Sequence, residues 1–316
     1  MKISIVFIIM NTLEQHSLKN SIMLYFENEV FVNVTYNYVI EKFPKKYRFK
    51  TKNQKYGAKI VIVELLYITK TALSYKNYRG PINAKTLNRH AIFFAQHNIF
   101  ENVYEIMHIQ YMKYNNMSKL KIQSIDTTYI MNINGKEELG RNKHFKNKNS
   151  YKVSLIVDSN RIPLSTVINS GNKNDAKIGE INIDTTKKRI NELNLKCKPY
   201  MLADKMYDTN DFRQKCVENG YRPIIDYNKR NTKNKKLIKR LTKRQRTIYK
   251  RRIGVENTNC ILKKYRRVNL IYDSYLMSYK SFLYLAQCCM IQKYIGKQKM
   301  ENIKIPSYAI EIVHKK

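Results

Sequence analysis

The stretch Lys121–Ile133, KIQSIDTTYIMNI, decides how the rest of the chain is read. At Lys119 the pattern switches to strands, and this stretch reads as one β segment. Asn134-Gly135 breaks the run. A second strand pattern follows at Tyr151–Asp158 (YKVSLIVD), and Ser159-Asn160 turns tightly into a third, Arg161–Ile168 (RIPLSTVI). These three make a β-meander. Downstream the period changes repeatedly: helical from Asp175 to about Asn194, a short apolar strand over Pro199–Ala203, helical over Asp208–Asn219, a turn at Gly220, a strand over Arg222–Asp226, then helical again, ending in the apolar Tyr275–Ile295. Meander, helix, strand, helix, strand, helix is the order of an α/β fold with a mixed sheet flanked by helices.

Upstream the pattern is helical from Gly57 to about Asn115. Ile60, Val61, Val63, Leu65 and Leu66 open one helix, and Tyr75–Gly80 reads as a turn. Pro81 and Asn83 precede a second helix over Ala84–Asn98, and a third begins near Glu101. Three short helices with a basic middle element suit a helix-turn-helix, in which Lys85, Asn88, Arg89 and His90 would face DNA; a plain helical bundle is the other reading. Glu27–Ile40 alternates and is expected to form strands. Phe43–Tyr56 is lysine-rich and reads as a linker. Ile3–Met10 is apolar, too short to span a membrane, and reads as a strand or a start-site artefact. The expected organisation is an N-terminal extension and linker (1–56), a small helical region (57–117), an α/β domain (118–295) with a basic insertion at about 227–248, and a polar tail (296–316).

Lys and Arg number 60 against 24 Asp and Glu, a formal charge of +36 over 316 residues. A polyanion is the partner that such an imbalance fits, and nucleic acid leads. Lys, Asn, Ile and Tyr are all abundant; A/T-rich codons explain part of the lysine excess but not where the few acids stand. Residues 228–252 hold thirteen cations and one acid-free sequence, suited to DNA contact or to a solvated charge run. The five cysteines lack metal-ligand spacing and argue for a reducing compartment without disulfides. The six histidines are dispersed.

Against that background three acids stand out. Asp126 lies within the first strand and Asp204 ends the strand that follows the first long helix. Glu256 lies on a segment where Tyr249, Arg252, Glu256 and Lys263 share a stripe roughly 60° wide if the whole segment is helical. In a sheet where these two strands are neighbours, the two carboxylates can meet at one end, and a glutamate from a packed helix can close the site. Converging carboxylates repel unless a divalent metal binds, and hard oxygen ligands suit Mg²⁺ or Mn²⁺. A pair of such ions at ~3.5–4 Å supports in-line phosphoryl transfer. The bland reading of the stripe is an ordinary ion pair of Glu256 with Arg252.

These residues resemble the DDE transposases of bacterial insertion-sequence elements, which have a ribonuclease H-like catalytic core. That family's signature of Tyr, two residues, Arg, three residues, Glu, six residues, Lys is matched at Tyr249, Arg252, Glu256 and Lys263. Its first-aspartate motif corresponds to Asp126-Thr127-Thr128, and its second to Leu202-Ala203-Asp204-Lys205-Met206-Tyr207-Asp208, with Met206 where Gly is usual. Lys152, Asp158, Pro163 and Leu164, then Gly171-Asn172-Lys173-Asn174-Asp175, follow the segments between. The resemblance covers about 57–295. It implies a ribonuclease H-like mixed sheet, with Asp126, Asp204 and Glu256 as catalytic metal ligands for Mg²⁺ or Mn²⁺. It implies further that Tyr249, Arg252 and Lys263, aided by Lys205, Arg251 and Lys264, hold DNA phosphates. The implied activity is strand cleavage at the element's terminal inverted repeats and strand transfer to target DNA, by a homodimer on double-stranded DNA and without a membrane. The implied location is intracellular, in the cytoplasm or nucleoid of a prokaryote or the nucleus of a eukaryotic or viral host. Two alternatives stay open: an inactive transposase-derived DNA-binding protein, and a related nuclease without strand transfer.

Overall fold

The structure, a computed structural model, describes residues 12–47, 56–114, 117–132, 134–142, 147–192, 198–228 and 240–295. The helices in chain order are α1 (Thr12–Glu27), α2 (Glu29–Lys42), α3 (Ala58–Thr71), α4 (Ala84–Gln96), α5 (Ile99–Tyr114), α6 (Asp175–Glu192), α7 (Asn210–Glu218), α8 (Lys243–Tyr249), α9 (Ile253–Lys264) and α10 (Leu276–Ile291), with short turns of helix between some of them. The strands are β1 (Ile122–Met131), β2 (Gly140–Asn142), β3 (Lys148–Val157), β4 (Pro163–Ser170), β5 (Tyr200–Ala203) and β6 (Arg222–Ile225). The chain divides into two compact units. One comprises residues up to Tyr111 with Tyr265–Val268 and the residues from Tyr275; the other comprises Met112–Lys264 with Asn269–Ser274. The expected division kept the last helix with the sheet, whereas α10 packs with α3 and α4 in the helical unit.

In the helical unit, α2 replaces the strands expected over Glu27–Ile40. Its buried residues Phe31, Val32, Val34, Thr35, Tyr38 and Val39 recur at helical spacing, so the β-branched residues that suggested a strand are one apolar face of a helix. Helices α1 and α2 both pack against or beside α3, where Glu64, fully buried, accepts hydrogen bonds from Ser21 Oγ (2.5 Å) and Tyr78 Oη (2.7 Å). Burial raises its pKa. Near the other end of the chain, Gln292 accepts from the Phe31 N–H (3.1 Å) and donates to Asn28 Oδ1 (2.6 Å). Arg267, buried, donates to the Leu73 carbonyl (3.1 Å) and lies over the Phe282 ring at 4.5 Å. Part of the expected linker, Pro44–Tyr47, is a helical turn. Residues 3–10 and 296–316 lie outside the described residues, as does the rest of that linker except Phe43 and Tyr56.

His90 on α4 supplies a pH test. Its Nδ1 lies 2.8 Å from the Tyr47 hydroxyl, and burial, with the Lys46 charge second, lowers its pKa to about 4. Between pH 6.5 and 4 the unfolded chain binds a proton that folded His90 refuses, so its contribution to stability falls as pH drops through that window. Wild type should lose about 1–2 kcal/mol relative to His90→Gln between pH 7 and pH 5, the modest size reflecting the ring's partial exposure. Urea unfolding of both proteins at the two pH values measures it.

In the sheet unit the strand order is β2-β3-β1-β5-β6, with β4 also pairing β3. Strands β1, β3 and β4 are antiparallel neighbours, while β5 and β6 join parallel to β1. The meander is therefore as read, and β2 is a short strand that the sequence did not announce. It pairs with Lys148–Ser150 of β3, on the edge away from β1. On one face lies α6, against β3 and β4. Asn182 Nδ2 donates to Ser154 Oγ (3.0 Å), and Ser165 Oγ bonds Asn182 and Thr186. On the other face lies α9, against β1 and β3, where Thr258 Oγ1 donates to the Arg161 carbonyl (3.0 Å).

Gly179 lets α6 approach the turn after β5. A Cβ there would stand 2.7 Å from a Phe212 ring carbon and 2.9 Å from one of Tyr207, both rings buried. Gly179→Ala should destabilise the protein by about 1–3 kcal/mol, the usual cost of overpacking. Urea unfolding reads the effect; an unchanged or raised midpoint would show that the rings give way freely.

Candidate active site

Strand β1 sorts its side chains to two faces. Asp126 faces α9 and receives the Asn259 Nδ2 hydrogen bond at 3.0 Å. Thr127 points the other way, its hydroxyl 2.6 Å from that of Tyr207. Tyr207 belongs to the short 3-10 turn Lys205–Tyr207 that follows β5, so this bond ties the segments bearing the two aspartates together. The β1–β5 register pairs Ser124 with Leu202. Asp204 is the first residue past β5, and Asp126 lies two residues beyond the last paired position of β1. Asp204 caps the 3-10 turn, accepting the Lys205 N–H at 2.5 Å. Met206 is half exposed and has no positive φ, so the turn needs no glycine there. The β5–β6 register, Ala203 with Ile225, places Asp226 next in the row; the sequence reading ended a strand there and gave the residue no role.

The basic segment is not one helix. Helix α8 ends at Tyr249, Lys250–Arg252 form a 3-10 turn, and α9 begins at Ile253. Three consecutive cations repel, and Gly254 is a poor helix former, which favours a break here. Arg252 and Glu256 nevertheless meet, Nη2 to Oε1 at 2.5 Å, with the guanidinium 5.9 Å from the Tyr249 ring centroid. The ion pair that the bland reading expects is thus present. From Arg252 onward, Glu256, Asn259 and Lys263 follow at helical spacing along one face. Asn259, which the sequence reading passed over, was legible as the residue three after Glu256 on that stripe.

Electrostatics link these groups. Burial raises the Asp126 pKa to about 6; the Thr127 N–H, the Arg252 charge and Asn259 oppose the rise, and Glu256 adds to it. Arg252 feels the charge of Glu256 first, with Asp204 also in range, and its pKa rises despite burial. Burial raises the Tyr249 pKa, opposed by Arg252 and aided by Asp204 and Asp226. Asp126 and Glu256 therefore sense each other, as do Asp204 and Arg252. Yet among the described residues no three of His, Cys, Asp and Glu stand close enough to enclose a cation in this side-chain arrangement. The chemistry of the donor set suits a hard divalent cation: all-oxygen ligands, one of them desolvated with a second carboxylate in range.

Lys205, Arg251 and Lys264 are exposed, and Tyr249, Arg252 and Lys263 half-buried. Lys85 and Arg89 are exposed and Asn88 half-buried on α4, in the helical unit. Of the basic stretch, 229–239 lie outside the described residues. The intervening matched residues take structural roles. Asp158 accepts the N–H groups of Asn160 (2.9 Å) and Ile162 (3.0 Å) in the β3–β4 turn. Lys152, buried, pairs with Asp175 at 2.8 Å, 4.7 Å from the Tyr129 ring centroid.

A six-stranded mixed sheet with four antiparallel strands, two parallel ones and helices on both faces is a ribonuclease H-like fold, here carrying Asp126 within β1 and Asp204 just past β5. Residues 123–288, more than half of the chain, match the family described as Transposase DDE domain, and the chain belongs to that family. No curated protein and no solved structure matches it. DDE transposases generally use divalent metal ions and act on DNA. No helix among the described residues is long and apolar enough to cross a membrane.

Proposed function

We propose that this protein is a transposase that cuts DNA at the ends of its own element and joins the freed 3′-hydroxyl to target DNA. The observation that supports the reading is that the helix bearing Glu256 and its partner Arg252 docks on Asp126 through Asn259, on a strand paired with the one that Asp204 follows. Asp126, Asp204 and Glu256 would hold the Mg²⁺ or Mn²⁺ pair. When bound, the ions activate the attacking oxygen and stabilise the leaving one.

The chain's own residues do the rest. Arg252, Tyr249 and Lys263 grip the phosphates flanking the scissile bond and orient them for in-line attack. In cleavage, water attacks phosphorus, loses a proton, and the P–O3′ bond breaks to leave a 3′-hydroxyl. In strand transfer that hydroxyl attacks a target phosphorus and displaces the target's own 3′-oxygen. Both steps exchange one oxygen for another, so one site serves both. Arg252 changes partners along the way: a phosphate takes the guanidinium, and Glu256 is released towards Asp126. Recognition of the element's ends falls to Lys85, Asn88 and Arg89, because phosphate contacts carry no sequence information. Two ends must be held together, which suits a dimer on DNA inside the cell.

The test is incubation with the inverted repeats flanking the gene and Mg²⁺, followed by strand analysis. Nicked ends plus joined product support the reading. Binding without cleavage marks a transposase-derived DNA-binding protein, and cleavage without joining a simple nuclease. A separate measurement addresses the outer cations. Replacing Lys205, Arg251 and Lys264 together with Gln should reduce the slope of log K against log salt by roughly 2–3, at ~0.9 per phosphate released. An unchanged slope would remove them from the DNA path.

A further inference from the structure

Asn259 is 7% exposed, and its two amide ends differ. Nδ2 donates to Asp126 Oδ2 at 3.0 Å. Oδ1 is buried with no protein partner. A buried carbonyl left in this way costs about 1–3 kcal/mol, so a residue kept only for packing is better apolar. The location adds to this: Asn259 lies one turn beyond Glu256, on the stripe that also carries Arg252 and Lys263. A neutral donor also suits the place. It orients a carboxylate and favours its charged form without cancelling the charge, whereas a lysine would occupy the carboxylate and compete with a cation.

We propose that Asn259 is a positioning residue for the metal site: its Nδ2 fixes the orientation of the Asp126 carboxylate, and its Oδ1 accepts a hydrogen bond from cation-bound water. This rests on the assignment of Asp126 as a ligand. Groups that orient metal ligands typically contribute ten- to a hundredfold in metal affinity.

The test uses the full chain with Mn²⁺ alone as probe, titrated calorimetrically into wild type, Asn259→Leu, Asn259→Ala and Asp126→Asn, with thermal unfolding of each. Asn259→Leu keeps the volume and removes both polar ends. It should weaken Mn²⁺ binding about tenfold or more and raise the Mn²⁺ concentration needed for half-maximal end cleavage, with the melting temperature equal to or above wild type. Wild-type Mn²⁺ affinity in Asn259→Leu, with binding lost in Asp126→Asn, overturns the proposal and leaves the Asp126 assignment standing. Wild-type affinity in Asp126→Asn removes that assignment and the proposal together. Unfolding of both Asn259 variants makes the residue a determinant of the core and also overturns it.

Discussion

Asp126→Asn should lower end cleavage by about 10³-fold or more while leaving affinity for terminal-repeat DNA within a few-fold of wild type. The first part follows if Asp126 is a ligand of the ions that activate the nucleophile. The second follows if the phosphate contacts come from Tyr249, Arg252 and Lys263, as proposed. Stability separates this from simple damage. Burial pushes the Asp126 pKa up to about 6, with Glu256 adding to the rise, so the ionised carboxylate is held at a cost. A neutral amide of the same shape removes that cost, and the melting temperature should stay level or rise. Dead catalysis with level or raised stability is the pattern of a functional carboxylate. Wild-type cleavage, or lost cleavage explained by unfolding, would sink the assignment. Single-turnover cleavage, fluorescence anisotropy and thermal unfolding give the three readings.

Arg252→Gln should cost about 10²-fold in the cleavage rate with only several-fold weaker DNA binding. The i,i+4 pair with half-exposed Glu256 contributes only about 0.3–0.5 kcal/mol to stability, so the fold should scarcely register the change. A guanidinium beside the reacting phosphate does far more, because it stabilises charge that develops in the transition state. Arg252→Lys retains the charge but loses the planar fork and should recover only part of the rate. Full recovery by lysine would reduce Arg252 to a general phosphate contact. A rate increase in Arg252→Gln would mean that its pairing with Glu256 restrains the enzyme.

The sheet was legible because β1, β3 and β4 carry long patterns and their turns are marked by Asn134-Gly135 and Ser159-Asn160. β2 was not, since three residues around Gly140 are too few to show a period. The α2 helix was misread for a physical reason: Val30, Val32, Val34 and Thr35 suit a pleated strand, and their helical face shows only when α3 supplies the other wall. At the site, sequence spacing picked out Asp126, Asp204 and Glu256 as candidates, and the strands that carry or precede the two aspartates, β1 and β5, are paired in parallel. It predicted neither the break at Lys250–Arg252 nor the docking of Asn259 on Asp126, because both depend on how α9 lies on the sheet.

The bonds from Gln292 to Asn28 and Phe31 join positions 264 and 261 residues apart. During synthesis the early helices must wait until residues 276–292 have left the ribosome before α10 can pack on them. A gene copy with a stop codon before residue 276 therefore yields a chain whose early helices lack one of their walls. If the protein moves its own element, such copies should fail abruptly and recessively instead of interfering with intact ones.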